Sequence, residues 1–341
     1  MMKNFGNSRG YSILLVLFSS LFGTNAFLAS PTITLNQKLS VSPLQMSSTE
    51  SDDAGIHVMV NGMPGPMATA AAEACLRKGM KLTPVAMTGP DIEPMTIMVY
   101  DPVSQKSQEV RLIPSTQKEE LSASIEGLKS SYGEKNVLAI DYTHPLAVNS
   151  NADFYVDQKL PFVMGTTGGD REKLMDGVNG AKHFAVIAPN MAKQIVAMQA
   201  ALEDLSRKFP GSFASYKIAC RESHQKTKAD TSGTAKAVID SLTELSDDEF
   251  TYDDIEMIRD DQGAIDFGVP EEAMNGHAFH RYTLTSADGT TQFALEHNVS
   301  GRTIYAEGTA DAVKFLAGRV KEENDGKVYS MIDVLEAGGL E

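Results

Sequence analysis

A chain of 341 residues with 42% hydrophobic content and no tryptophan can build two cores of ordinary size. Its formal net charge of −15 excludes nucleic acid and an anionic membrane surface as partners of the mature protein, because both need clustered Lys and Arg; an anionic ligand must meet a locally basic site. Two cysteines, Cys75 and Cys220, are too few for a disulfide framework and point to a reducing compartment.

Lys3 and Arg9 precede an apolar run at 12–22, which is followed by Gly23, Thr24, Asn25 and Ala26. This is the layout of a signal peptide, too short to span a bilayer as a helix. Residues 31–53 are rich in Ser, Thr and Gln, and acidic residues begin only at Glu50, as in a transit peptide. The junction Asn25-Ala26-Phe27 resembles the Ala-Phe cleavage motif of proteins imported into the secondary plastids of algae. Residues 1–54 are therefore expected to be a signal-plus-transit presequence that addresses the mature chain to the plastid (chloroplast) stroma, with simple secretion as the alternative.

From residue 55 the pattern predicts an α/β fold whose N-terminal unit, 55–190, is a doubly wound parallel sheet of the Rossmann kind. Apolar runs at 56–60, 82–87, 137–141, 161–164 and 184–187 read as strands, separated by helical stretches. An Ala-rich helix closes at Gly79, where a left-handed residue is expected, and Thr116-x-x-Glu119 reads as a capping box before a helix reaching about 129. A long helix over 191–209 opens a second unit, 191–325, of α+β mixed-sheet character. Its strands are expected at 216–221, 255–259, 280–286 and 292–298, with helices near 234–242 and 310–320 and a hairpin at Asp288-Gly289. The tail, 326–341, is expected to return to the first unit.

Between the first strand and the first helix stands Gly62-Met63-Pro64-Gly65-Pro66-Met67-Ala68, a strand-to-helix glycine turn. Gly62 permits the tight turn, Gly65 lets the backbone approach a pyrophosphate, and the helix N-terminus favours the anion. Pro66 suits the first helical turn but offers no N–H. The second strand ends in Met87-Thr88-Gly89 without a carboxylate for ribose hydroxyls, which favours NADPH, with Asp91 near enough to leave NADH open. Gly165-Thr166-Thr167 and Ala188-Pro189-Asn190-Met191 follow later strands, at the carboxyl edge where such sheets bind ligands.

The segment from Glu222 to Thr234 carries Lys226 and Lys228, with Arg221 and Lys236 beside it, a basic cluster in an acidic protein. Ser232-Gly233-Thr234 opens a helix whose N–H groups can hold a carboxylate, Lys228 can neutralise another, and His224 titrates near neutrality. A solvated surface loop would show the same composition.

Glu222-Ser223-His224-Gln225, Asp141-Tyr142-Thr143-His144-Pro145, residues 161–170, His297-Asn298-Val299-Ser300-Gly301-Arg302 and Met331-Ile332-Asp333-Val334-Leu335 together resemble the plant branch of the dihydrodipicolinate (4-hydroxy-tetrahydrodipicolinate) reductases. The likeness runs from about residue 55 to the C-terminus. It implies NAD(P)H-dependent reduction of a small cyclic dicarboxylate, 4-hydroxy-tetrahydrodipicolinate, to tetrahydrodipicolinate with loss of water, in lysine biosynthesis by the diaminopimelate route. It further implies a homo-oligomer, dimer or tetramer, built by the second unit, and no metal. Carried over, His224 is proton donor and acceptor and Lys228 the proton donor. Gln225, Ser232, Gly233 and Thr234 face the substrate, while 62–67, Thr88, 165–167 and 188–191 face the cofactor. Gln225 stands where bacterial members have a second His, Pro66 replaces a basic residue, and Ala68 replaces a third Gly. The rival readings are a reductase of another cyclic imino acid and a non-catalytic NADPH sensor.

Overall fold

Six parallel strands form the first sheet of the computed structural model, which describes residues 55–338; the presequence expected at 1–54 lies outside them. From edge to edge their order is Val328–Tyr329, Ala185–Ile187, Phe162–Met164, Val137–Asp141, His57–Asn61 and Lys81–Leu82. His57–Asn61 and Val137–Asp141 are buried along their whole length, as parallel strands covered on both faces must be. The tail supplies the edge strand Val328–Tyr329, paired with Ala185–Ile187, and so returns to the first unit.

The strand expected at 82–87 is divided. Pro84 has no N–H to give a ladder, so Lys81–Leu82 stays in the main sheet while Val85–Thr88 leaves it. Val85–Thr88 joins a separate three-stranded sheet with Lys106–Pro114 and Met95–Asp101, in a stretch where the sequence reading placed no strand. The capping box at Thr116 and Glu119 does not form: Gln117 N–H closes a turn onto the Pro114 carbonyl, and the helix begins at Lys118 with no side-chain cap.

The second unit has a four-stranded mixed sheet in the order Glu256–Ile258, Lys217–His224, His277–Thr285, Gln292–Ser300. Helices Lys193–Lys208 and Gly233–Leu245 pack together, and Val238, Ile239 and Leu242 share a core with Ile218, Cys220 and Tyr282. The hairpin turns at Asp288-Gly289, where Gly289 takes φ +71° and Asp288 Oδ1 accepts from the Thr290 N–H. The helix Thr303–Glu322 lies in the stretch expected to complete this second unit. It buries Ala306, Ala310, Val313 and Leu316 in the core of the first unit instead, because its small residues let it lie close against the Ala-rich helix Pro66–Arg77. Among the described residues no helix is long and apolar enough to cross a membrane.

Candidate active site

The carboxyl ends of the parallel strands open onto three adjoining hollows. The first, about 610 Å³, is lined by Gly62, Pro64, Gly65, Pro66, Met67, Thr88 and Tyr142 among others. The second, about 380 Å³, shares Met67, Tyr142 and Thr143 with it and continues to Gly165, Thr166, Thr167, Asn190 and Met191. The third, about 650 Å³, shares Gly89, Pro90 and Ser115 with the first and reaches Asp91 and Lys118.

The turn has the shape a dinucleotide needs. Gly62 has φ +103°, and an added Cβ would lie 2.1 Å from the Tyr142 carbonyl oxygen. At Gly65 an added Cβ would lie 2.7 Å from the Gly62 carbonyl oxygen. Pro66 is the first residue of the helix, whose N-terminus no side chain caps, so its end faces the hollow open to an anion. Not every residue of the turn lines the hollow. Met63 is fully buried, and its carbonyl accepts from the Thr88 hydroxyl at 2.6 Å, which fixes the turn to the neighbouring strand.

One buried carboxyl group ties these loops together. Asp141 Oδ1 accepts from Thr143 N–H (3.1 Å) and the Thr166 hydroxyl (2.7 Å), and Oδ2 from Asn151 Nδ2 (3.0 Å) and the Tyr155 hydroxyl (2.7 Å). Tyr155 in turn accepts from Asn61 Nδ2 at 2.9 Å, so the ends of three strands are held in one network. The Tyr142 ring covers Gly165, and its hydroxyl donates to Thr309; burial pushes its pKa up to about 12. Ala188 is buried and Pro189 exposed, while Asn190 turns toward the second unit.

In the second unit the catalytic candidate sits on a strand, not a loop: Lys217–His224 runs three residues beyond the expected end. Ile218, Cys220, Glu222 and His224 alternate along it, so all four face inward. The register sets Glu222 opposite His280, and His280 opposite His297, in one row across three strands. His224 Nε2 lies 3.3 Å from His280 Nε2, which lies 3.6 Å from Glu222 Oε2. Glu222 is fully buried; Arg259 donates to its Oε1, and Ser232 N–H donates to Oε2 at 3.0 Å. Although burial opposes it, bonds from His280 and Arg259 hold the Glu222 carboxyl down at about 2. Burial first, and then His280, push His224 down to about 3, so its ring is neutral near pH 7.

The loop after His224 is pinned by Arg259, whose Nε donates to the Lys228 carbonyl at 2.8 Å. Gln225 and Lys228 are half-buried, and the Lys228 ammonium meets Asp230 at 2.8 Å. Ser232 caps the helix Gly233–Leu245 by accepting from Thr234 N–H at 3.2 Å, and Gly233 is exposed. The cations of the basic cluster are charge-paired: Arg221 with Glu256 at 2.8 Å and Lys226 with Asp261 at 2.6 Å. A paired cation in an acidic protein is the ordinary outcome, and Lys228 follows it through Asp230. The two halves of the site meet where Asn190 Nδ2 donates to the Thr234 hydroxyl oxygen at 3.1 Å.

Models of the dihydrodipicolinate reductase N-terminus and C-terminus match residues 56–191 and 194–335. The chain belongs to the dihydrodipicolinate reductase family. It is 43% identical over 289 residues to 4-hydroxy-tetrahydrodipicolinate reductase 1, chloroplastic, of Arabidopsis thaliana, covering 84% of this chain and 79% of that one. Reductase 2 of the same plant is 44% identical over 287 residues, with the same coverage. Among solved structures, a dipicolinate-bound dihydrodipicolinate reductase from Paenisporosarcina sp. TG-14 aligns with a TM-score of 0.52 at 19% identity. It covers 81% of this chain and 97% of that one, a likeness of fold. The family is one of NAD(P)H-dependent oxidoreductases with a Rossmann nucleotide-binding domain.

Glu222, Arg259 and His280 were not singled out in the sequence as site residues. A signal for the first is present in its spacing: a carboxylate two residues before an inward-facing His, on a strand whose other inward residues are apolar, requires a buried partner. Arg259, 37 residues away just past a strand, and His280, on a strand further along the chain, carry no local signal.

Proposed function

We propose that this chain reduces 4-hydroxy-tetrahydrodipicolinate with NAD(P)H in the diaminopimelate route to lysine, with His224 and Lys228 handling the protons. The observation that carries this reading is the Asn190–Thr234 hydrogen bond of 3.1 Å. It sets the far end of the carboxyl-edge groove directly against the start of the substrate loop's helix. The groove's two glycines, each backed by a carbonyl oxygen that a Cβ would strike, fit a pyrophosphate lying against backbone. When bound, the nicotinamide supplies a hydride. Gly62 and residues 64–67, with Thr88, hold the pyrophosphate side, and Tyr142, residues 165–167 and residues 189–191 border the nicotinamide side, while Met63 and Ala188 support the groove from beneath.

The protein residues then place the substrate and move protons. Thr234 and the N–H groups opening the helix Gly233–Leu245 take one carboxylate, Gln225 borders the ring, and the Lys228 ammonium takes the other carboxylate and gives a proton. His224, neutral at rest, turns Nε2 toward His280 and leaves Nδ1 for the substrate. A dianion arriving beside the ring raises its proton affinity again, so His224 can take the C–H proton next to the hydroxyl-bearing carbon and return it to the departing hydroxyl, which leaves as water. Replacing Thr234 with Val should raise KM for substrate with little change in cofactor binding, because it trims a contact made in ground and transition states alike. A normal KM would remove this helix start from the substrate site.

Further features support finer readings. Met87-Thr88-Gly89 carries no acid at the ribose, and Lys118 lines the adjoining hollow together with Asp91, which favours NADPH over NADH. A kcat/KM higher with NADH would assign Asp91 to the ribose. The outermost strand, Gln292–Ser300, is an edge with Phe293 half-exposed, suited to a homo-oligomer contact. The presequence pattern and the chloroplastic relatives support a plastid address. A fluorescent fusion of residues 1–60 should enter an algal secondary plastid, and Phe27→Ala should keep it out of the stroma.

A further inference from the structure

We propose that Glu222, His224 and His280 form a binding site for a zinc-class dication, and that filling it switches the reductase off. The inhibitory half of this inference rests on the proposed role of His224; the binding half does not. Three ligating atoms converge: His224 Nε2 and His280 Nε2 are 3.3 Å apart, His280 Nε2 and Glu222 Oε2 3.6 Å, and His224 Nε2 and Glu222 Oε2 4.0 Å. The point equidistant from the corners of that triangle lies about 2.1 Å from each, which is the bond length zinc takes to imidazole nitrogen and carboxylate oxygen. The proton that His224 and His280 share between their Nε2 atoms must leave that position as the ion enters.

The ligands are also fixed from behind. Glu222 is divided between tasks: Oε1 takes the Arg259 guanidinium, while Oε2, steadied by Ser232 N–H at 3.0 Å, faces the two rings. His280 is held by its place in the middle of the sheet and by stacking on His297, ring centroids 4.5 Å apart. Hydrogen bonds such as those on Glu222 fix the direction in which a ligating group points, whereas His280, whose Nδ1 has no hydrogen-bond partner, is held by packing. Two imidazoles and one carboxylate, with a coordination position left over, are the donor set of open zinc sites. Magnesium and calcium require more oxygen ligands than the cluster has. Arg259 lies against the same carboxylate and opposes a dication, so binding should be reversible rather than structural. His224 is the outermost of the three, so an ion enters past the ring that would face the substrate. Once bound, it takes the Nε2 lone pair of His224, so the neutral ring must carry its proton on Nδ1 and can no longer accept one from the substrate there.

The test titrates Co²⁺ into the purified full chain and reads the visible absorption of the ion, then measures NADPH oxidation with Zn²⁺ present and after a chelator. One equivalent of Co²⁺ should give the bands of a low-coordinate nitrogen and oxygen site, displaced by Zn²⁺ and not by Mg²⁺. Zn²⁺ should lower kcat reversibly. His280→Asn should weaken Co²⁺ by more than the roughly 10–100-fold typical of losing an outer-shell partner, and whatever activity it keeps should resist Zn²⁺. No Co²⁺ band in the wild-type chain, or equal bands in His280→Asn, overturns the site whether or not the enzyme turns over. A lost band with activity undisturbed by Zn²⁺ in the wild type overturns the inhibition and the catalytic reading of His224, leaving the metal site standing.

Discussion

Gly165 has no room for a side chain, since an added Cβ would lie 2.3 Å from the Tyr142 ring. That ring borders two of the three hollows, so Gly165→Ala should push it into the groove and raise KM for cofactor at least about tenfold, or about 1.4 kcal/mol. Gly65→Val should do the same by driving its side chain against the Gly62 carbonyl oxygen and deforming the turn, and steady-state kinetics with varied cofactor checks both. Unchanged cofactor KM in either variant would take that residue out of the binding groove. At this scale the sequence was informative wherever a residue type has a backbone reason to exist, as with the two glycines of the turn and the Ser232 cap. It was silent where a residue's role depends on distant strands. Asp141 stood in a recognisable segment, yet nothing in that segment announces that Asn61, Thr166 and Tyr155 converge on one network.

Strand register makes the row of Glu222, His280 and His297, and register cannot be read from one strand alone. The row has a consequence for stability. Burial lowers His224 from 6.5 to about 3 and His297 from 6.5 to about 4. Between these values and 6.5 the unfolded chain binds more protons than the folded one, so stability rises with pH and is lost as pH falls below about 6.5. Glu222, lowered from 4.5 to about 2, adds a second loss that begins only below its ordinary value. His297 has no partner at either ring nitrogen, so His297→Phe should raise Tm more at about pH 5 than near neutrality, by about 2–4 °C per kcal/mol gained. Equal Tm changes at both pH values would show that His297 does not titrate in this window. A second element-scale device joins three helices: Asp311 on Thr303–Glu322 pairs with Lys78 and Lys193, and all three side chains are nearly buried. Asp311→Ala should destabilise the fold, read as a lower denaturation midpoint, because it removes the carboxylate that two nearly buried ammonium groups share, with Lys78 keeping Glu307 at 3.4 Å. That contact ties the helix, seated on the first core by its small residues, to the helix that opens the second unit as well.

The whole molecule was the most legible level, since alternating strands and helices with a returning tail specify a doubly wound sheet almost by themselves. What pattern alone could not give was the departure at Pro84, where the chain leaves one sheet for another, because short half-exposed strands look like loop. On the proposed function, one chain binds cofactor in the first unit and handles protons in the second. The most direct measurement takes wild type, His224→Ala and Lys228→Ala and follows NADPH oxidation with enzymatically generated substrate, alongside cofactor affinity by fluorescence. Wild type should turn over, and both variants should lose about 10²–10⁴-fold in kcat, with weaker substrate binding for His224→Ala and cofactor affinity unchanged in both. Wild-type kcat and KM in both variants would contradict the assignment of the site, even with the fold intact.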